Sequence, residues 1–407
     1  MSASARLVAI AAAGRSHRGI LIAAVAGVLA LFLITFPLYA SGYQMTAIAA
    51  LSMILGIEAL SLIFLAGYGG MVSLAQTALA GLGAYTIGIL TVSHSLAGDL
   101  IGFRVFGQAI GYTVHSSYPL WAAVLIALLV STAFAFLFAV ISVRSQGIYF
   151  LMITLALAMI VYNVAEENYT IFNGHGGIGG ERAPAVGGVS FDPIRYPRPF
   201  YYLVLVVAAL VYFGVRYVVR SPFGLALQGI RDNPRRMRAL GFWVEGHRVA
   251  AFTLAGFIAG VGGVLYVWYY QIISPGFIDL THTINILIIA VIGGMIYFEG
   301  AFLGALAFTL VTNFASSYTD RYNTVIGLTF LLIVLFSPNG LMGLPETILR
   351  LPRTLTRFRT VTLGPSIAGL GASFGLGPSS SQRDRPRETG PPAASGSSEE
   401  ADRGINA

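Results

Sequence analysis

The stretch RSPFGLALQGIRDNPRRMRALG, residues 220–241, decides how the rest of the chain is read. Two helix starts are written into it. Ser221-Pro222 sets an N-cap residue before a proline whose fixed φ suits the first helical position, and Asn233-Pro234 repeats the device. Gly241 then suits a left-handed helix stop. The wider loop Arg220–Arg248 holds Arg220, Arg231, Arg235, Arg236, Arg238 and Arg248 against Asp232 and Glu245. On either side lie apolar runs, Phe200–Tyr217 and Val249–Tyr270, near the ~20 residues that cross a hydrocarbon core of ~30 Å. The expectation is a rigid, basic, two-helix unit between two membrane spans.

The composition extends that reading to the whole chain. Of 407 residues, 56% are hydrophobic and only 10% charged, where a soluble domain carries about 25% charged residues. So few charges cannot cover a water-exposed surface, and lipid must solvate much of it. Ten apolar segments can be drawn: Ile20–Tyr39, Met45–Ala66, Thr77–Val92, Pro119–Val143, Ile148–Ala165, Phe200–Tyr217, Val249–Tyr270, Ile284–Ile296, Ala301–Ser316 and Tyr322–Phe336. The fold class expected is an all-α polytopic membrane protein of about ten transmembrane helices (8–10). The third and eighth segments are short, which points to broken or re-entrant helices there.

Charge sets the orientation. All the basic residues are arginine, and the net charge is +7. With the N-terminus inside, only Arg104, Arg182, Arg195, Arg198 and Arg321 fall outside. The positive-inside rule then puts both termini in the cytoplasm. The first apolar stretch follows Arg6, Arg15 and Arg18 as a signal peptide would. It is long, lacks a small-residue cleavage site near Tyr39 and leads straight into another span, so an uncleaved helix is expected. The chain divides into a cytoplasmic N-terminal segment (1–19), a transmembrane domain (20–345) containing the loop 220–248, and a cytoplasmic tail (346–407) of Gly, Ser, Pro and scattered charge, the composition of disorder.

Two absences narrow the chemistry. Without cysteine there are no thiolate ligands, disulfides or thiol nucleophiles. Without lysine the chain cannot build a Walker-type ATP site or a Schiff base. Gly174-x-Gly176-x-x-Gly179 matches a dinucleotide fingerprint only in letters, because it follows a membrane span and opens no βαβ unit. No H-x-x-H or H-x-x-x-H spacing suggests a metal. No catalytic residue is expected.

Four separated motifs carry a resemblance. Ser221-Pro222-Phe223-Gly224-Leu225-Ala226-Leu227-Gln228-Gly229-Ile230-Arg231-Asp232-Asn233, running on to Gly241, resembles the cytoplasmic signature of branched-chain amino-acid ABC permeases of the LivM type. Gly67-Tyr68-Gly69-Gly70-Met71-Val72-Ser73-Leu74, leading to Gly81-Leu82-Gly83-Ala84-Tyr85, resembles the family's first glycine-rich segment. Gly293-Gly294-Met295 with Gly300, Gly304 and Ala305 resembles the second, and Leu335–Leu341 its C-terminal ending. The chain departs from that pattern at Ala75-Gln76, where relatives often have Gly-His, and in the loop Asn173–Gly180.

The resemblance implies an ABC importer permease fold, moving branched-chain or related small amino acids into the cytoplasm by alternating access across the bacterial inner membrane. It implies as partners two cytoplasmic ATPase subunits, which use ATP and Mg, a second homologous permease and an extracytoplasmic solute-binding protein. This chain would need no cofactor of its own. Residues Ser221, Pro222, Phe223, Gly224, Ile230, Arg231, Asn233 and Gly241 would couple it to the ATPase.

Polar groups inside apolar spans are candidates for a substrate path, because an ionisable side chain in the bilayer tends to face the bundle interior or water. Those selected are Glu58, Gln76, Tyr85, Thr154, Asn163 and Asn285. Glu58 could equally be a structural, hydrogen-bonded glutamate. His282 is expected near an external helix end. Gly256/Gly260 and Gly300/Gly304 are small-xxx-small pairs suited to close helix packing. The alternatives are an ion-coupled secondary carrier, which ordinarily needs more titratable groups than Glu58, or an ABC importer of urea or short amides.

Overall fold

The computed structural model describes residues 31–91, 101–105, 108–112, 119–179, 185–186, 189–318, 321–336 and 340–343. Most of the expected N-terminal segment and first span, and all of the 346–407 tail, lie outside them. Among the described residues seven helical segments are long and apolar enough to cross a membrane: Gln44–Tyr68, Leu120–Ser142, Ile148–Glu167, Pro197–Arg220, Val244–Tyr270, Pro275–Gly293 and Phe298–Tyr318. The chain is an all-α, multi-pass membrane protein.

In chain order the helices are α1 (Gln44–Tyr68), α2 (Gln76–Thr91), α3 (Leu120–Ser142), α4 (Ile148–Glu167), α5 (Pro197–Arg220), α6 (Pro222–Asp232), α7 (Pro234–Ala239), α8 (Val244–Tyr270), α9 (Leu280–Gly293), α10 (Phe298–Tyr318) and α11 (Tyr322–Phe336). Residues 31–39 are also helical.

The expected ten spans are therefore not matched one for one. The third expected segment becomes the 16-residue α2 and the tenth the 15-residue α11, both too short to count as full spans. The cause at α2 is local. Helix α1 loosens into a π turn over Phe64–Tyr68, and the chain runs without helix from Gly69 to Ala75, with Gly70 at φ +66°. Only at Gln76 does the helix resume. The eighth expected segment starts earlier than drawn, through a 3₁₀ turn at Pro275–Phe277 and the Asp279 cap of α9.

Helices α1, α2 and α8 form the interior, with α3, α9 and α10 packed around them. Small residues allow this. On α3 the buried positions Ala123, Ala127, Ser131, Ala135 and Ala139 recur every fourth residue, a single helical stripe. The opposite face exposes Trp121, Leu125, Leu129 and Leu137. In water that arrangement would be inverted; in lipid large apolar side chains are comfortable outside, and close contact needs small ones.

Outer helices α4 and α5 bury little of their length. Tyr201 and Tyr202 of α5 donate to the carbonyls of Leu33 and Ile34 (2.8 and 3.0 Å), tying in the 31–39 helix. One end of the bundle carries α6, α7, Arg216, Arg220 and Arg248. At the other end Ile178–Gly179 pairs antiparallel with Ile272–Ile273.

Candidate functional site

At the arginine-rich end, α6 and α7 form the expected pair of short helices. Asn233 Oδ1 accepts the Arg236 N–H at 3.0 Å, a true side-chain cap. Ser221 occupies the N-cap position of α6, but its hydroxyl donates backward to the Val218 carbonyl at 2.6 Å. Pro222 leaves that helix without an N–H at its first position, so less needs capping. Gly241 takes φ +86°, with Phe242 N–H on the Met237 carbonyl and Gly241 N–H on the Arg238 carbonyl (3.1 and 3.0 Å). This is the Schellman arrangement.

The unit is bolted to the bundle on one side and open on the other. Gly224 sits so close to the end of α5 that a Cβ would overlap Val219 backbone. Leu227 and Ile230 are buried, and Phe223 stacks on His247 with ring centroids 5.8 Å apart. Leu225, Leu240 and Trp243 are exposed. A cleft of about 400 Å³ beside α7 is lined by Gln146, Asp232, Asn233, Pro234, Arg235 and Arg238.

Arg231 links this unit to the broken helix. Its guanidinium donates to the Gly67 carbonyl and pairs with Asp232. Its Cγ lies 2.7 Å from where a Gly70 Cβ would stand. A Cβ on Gly67 would in turn strike the Met295 carbonyl, and one on Gly340 would strike Gly294. The two glycine-rich breaks, α1–α2 and α9–α10, thus stack on each other with Arg231 against the first. Nearby, Tyr68 stacks on Phe298 at 4.6 Å, and Glu299 accepts from Tyr212 and Arg216 (2.5 and 3.1 Å).

The packing glycines lie in helix seams. A Cβ at Gly260 would stand 2.6 Å from Ser131 Oγ, and one at Gly256 would overlap Ala135. Gly300 and Gly304 meet the backbone of Gly293 across the α9–α10 seam.

Of the six polar candidates, the structure brings two together. Glu58 and Gln76 are each 1% exposed. Ser61, one turn on from Glu58 and donating to its backbone carbonyl (2.7 Å), stands 3.3 Å from Gln76 Oε1. The remaining four lie elsewhere. Tyr85 is buried edge-on to Phe172 at 5.0 Å. Thr154 Oγ1 accepts the Leu74 N–H at 3.2 Å and so anchors the unwound 69–75 segment. Asn163 is exposed on α4, and Asn285 is half-buried on α9.

Sequence reasoning missed His282. It lies in the first turn of α9 and faces the bundle, with Nε2 3.3 Å from Glu58 Oε2 and a side chain only 15% exposed. The signal was present: an intramembrane carboxylate calls for a partner, and His282 is the ionisable residue at the head of an apolar run. Among the described residues no group of three or more acidic or histidine side chains is placed to hold a metal ion.

The profile described as "Branched-chain amino acid transport system / permease component" matches residues 44–336, from the start of α1 to the end of α11. The chain belongs to this family of transport permeases. It is 24% identical over 324 residues to the high-affinity branched-chain amino acid transport system permease protein LivM of Escherichia coli (strain K12), covering 75% of this chain and 71% of the relative. It is likewise 24% identical over 313 residues to a probable LivM of Methanocaldococcus jannaschii, covering 70% and 89%. A shorter match, 31% over 139 residues (32% of this chain, 39% of the relative), is to the nucleoside ABC transporter permease protein NupC of Lactococcus lactis subsp. cremoris. No solved structure is significantly similar to the chain.

Proposed function

We propose that this permease is the translocation subunit of an ATP-driven importer of branched-chain amino acids, working with two ATPase subunits, a second homologous permease and a solute-binding protein. The family supports the transport role, and the LivM relatives favour this cargo over the nucleosides named for the shorter match. The observation that carries the mechanism is the contact of Arg231 with the α1–α2 break. A capped, rigid unit (α6–α7) with exposed Leu225, Leu240 and Trp243 on its free face suits docking to an ATPase. Arg231 on its inner face suits passing the partner's rigid-body movement into the bundle.

On this reading the arginine-rich end faces the cytoplasm, as the positive-inside rule requires, and the membrane is the bacterial inner membrane. ATP and Mg belong to the partner subunits, and the chain itself catalyses nothing. The solute-binding protein docks at the opposite end, near the 166–199 segment. Co-purification of the tagged chain from native membranes tests the reading. Two nucleotide-binding subunits and a second permease are expected. Recovery of this chain alone, with uptake driven by a proton gradient, overturns it in favour of an ion-coupled carrier.

A further inference from the structure

The cluster around Glu58 contains polar atoms that the protein itself leaves unused. Glu58 Oε2 faces His282, but Glu58 Oε1 has no hydrogen-bond partner, and neither has Gln76 Nε2. A buried donor or acceptor left unmade costs about 1–3 kcal/mol, more for a charged group. Such atoms in a native interior therefore call for an explanation. Here one is a carboxylate oxygen, an acceptor; the other is an amide NH₂, a donor. Gln76 meets the Glu58 helix at Ser61, one turn on from Glu58, where the Ser61 hydroxyl lies 3.3 Å from Gln76 Oε1.

The backbone adds a second feature. Helices α2 and α9 both begin at this cluster: Thr77 of α2 and Thr283 of α9 share a hydrogen bond of 2.6 Å, and Gly81 is packed against Ile278. Asp279 caps α9, accepting the Leu280 N–H at 2.6 Å. In α2 the hydrogen-bond ladder opens with Leu79 N–H on the Ala75 carbonyl, so the amides of Gln76, Thr77 and Ala78 precede it. That helix start carries partial positive charge and favours an anion. On the other flank the Tyr266 and Phe277 rings pack at 4.0 Å, tilted by 36°, with His282 4.7 Å from Phe277. A chain of contacts thus joins these groups in one part of the bundle: Glu58 to His282, His282 to the Tyr266–Phe277 rings, and Gln76 through Ser61 back to the helix that carries Glu58.

We propose that this cluster is an occluded binding site for the backbone of an α-amino acid, with Glu58 receiving the ammonium, Gln76 and the start of α2 receiving the carboxylate, and the Tyr266–Phe277 wall meeting an apolar side chain. The proposal rests on the importer reading and names the chemistry of its transit site. His282 holds the second Glu58 oxygen when no ammonium does so. A cation alone satisfies Glu58 but not Gln76; an anion alone does the reverse. Only a ligand carrying both charges a short distance apart uses both. Urea, amides and nucleosides lack that pair.

The test uses the full chain purified into lipid nanodiscs, where it needs no ATPase and so stands apart from the co-purification result. Thermal unfolding is followed against leucine, against 3-methylbutylamine (leucine without its carboxylate) and against 4-methylpentanoate (leucine without its ammonium). Leucine alone is expected to raise Tm. Glu58→Gln and Gln76→Leu are each expected to weaken the titrated Kd at least about tenfold, the loss of one charge-assisted hydrogen bond. Glu58→Asp, which keeps the charge, should recover part of it. Gly214→Ala, at a position with nothing within 4 Å, is the control that titrates as wild type. Three outcomes overturn the proposal: no shift with leucine, an equal shift with the amine or the acid, or a leucine shift of unchanged Kd in both variants. A ligand-free Tm for each variant separates lost binding from lost folding.

Discussion

Two polar groups in the same helical interior are treated in opposite ways. In the α2–α3–α8 seam the Ser131 hydroxyl lies 2.8 Å from the Leu79 carbonyl and 3.1 Å from that of Gly256, so its one proton is directed at two neighbouring helices. Around it are alanines and glycines in contact at backbone distance. In the α1–α2–α9 cluster, Glu58 and Gln76 each leave an atom unpaired. The seam fixes position; the cluster keeps hydrogen-bonding capacity in reserve. A buried polar residue in a transporter is thus informative only once its partners are counted.

The largest expected effect lies in the seam. A Cβ on Gly263 would already overlap the Ala80 carbonyl, so Gly263→Leu must force α2 and α8 apart. Overpacking of this kind costs about 1–3 kcal/mol or more. Folded protein recovered from membranes, read by size-exclusion profile, should fall to a small fraction of wild type. A monodisperse wild-type yield would show that the seam is not the rigid part.

Next comes the connection between the α6–α7 unit and the α1–α2 break. Arg231→Ala removes a charged donor from the Gly67 carbonyl, an interaction worth about 1.5–3 kcal/mol. Uptake should drop by an order of magnitude or more, while ATP hydrolysis by the assembled importer and the membrane level of the chain persist. Unchanged uptake would mean that movement enters the bundle elsewhere, for instance through the Glu299–Arg216–Tyr212 contacts.

The smallest effect sharpens the contrast. Ser131→Ala removes a hydrogen bond between helices, typically about 0.6 kcal/mol in membranes, and should lower Tm by only a few degrees. Ser131→Val should cost more, because its extra methyl meets Gly260, whose Cβ position is already 2.6 Å from the hydroxyl. If Ala proves worse than Val, the close approach at Gly260 does not limit what position 131 can hold.

Much of this molecule was legible beforehand because its signals are local. Helix length follows from apolar runs, and the caps at Asn233 and Gly241 follow from dihedral preference and side-chain reach, both set within four residues. Ser221 shows the limit, since the residue type allowed two hydrogen bonds and the fold chose the backward one. Ten spans are not matched one for one, and the local break shows why: the seven residues Gly69–Ala75 run without helix between α1 and α2, and composition alone does not distinguish a helix that crosses from one that starts part-way.

The sequence by itself determined a lysine-free, cysteine-free helical membrane protein with a basic, twice-capped unit between two spans. It did so because bilayer thickness and backbone capping act over short stretches of chain. Only the tertiary structure decided that His282 faces Glu58, that Gly67 rests on Met295, and which face of α3 turns inward. These pairings join residues far apart in the chain, and lipid erases the periodicity that would reveal them: large apolar side chains are stable on either side of a helix. What selects the inner face is fit between backbones, and that exists only once the helices are together.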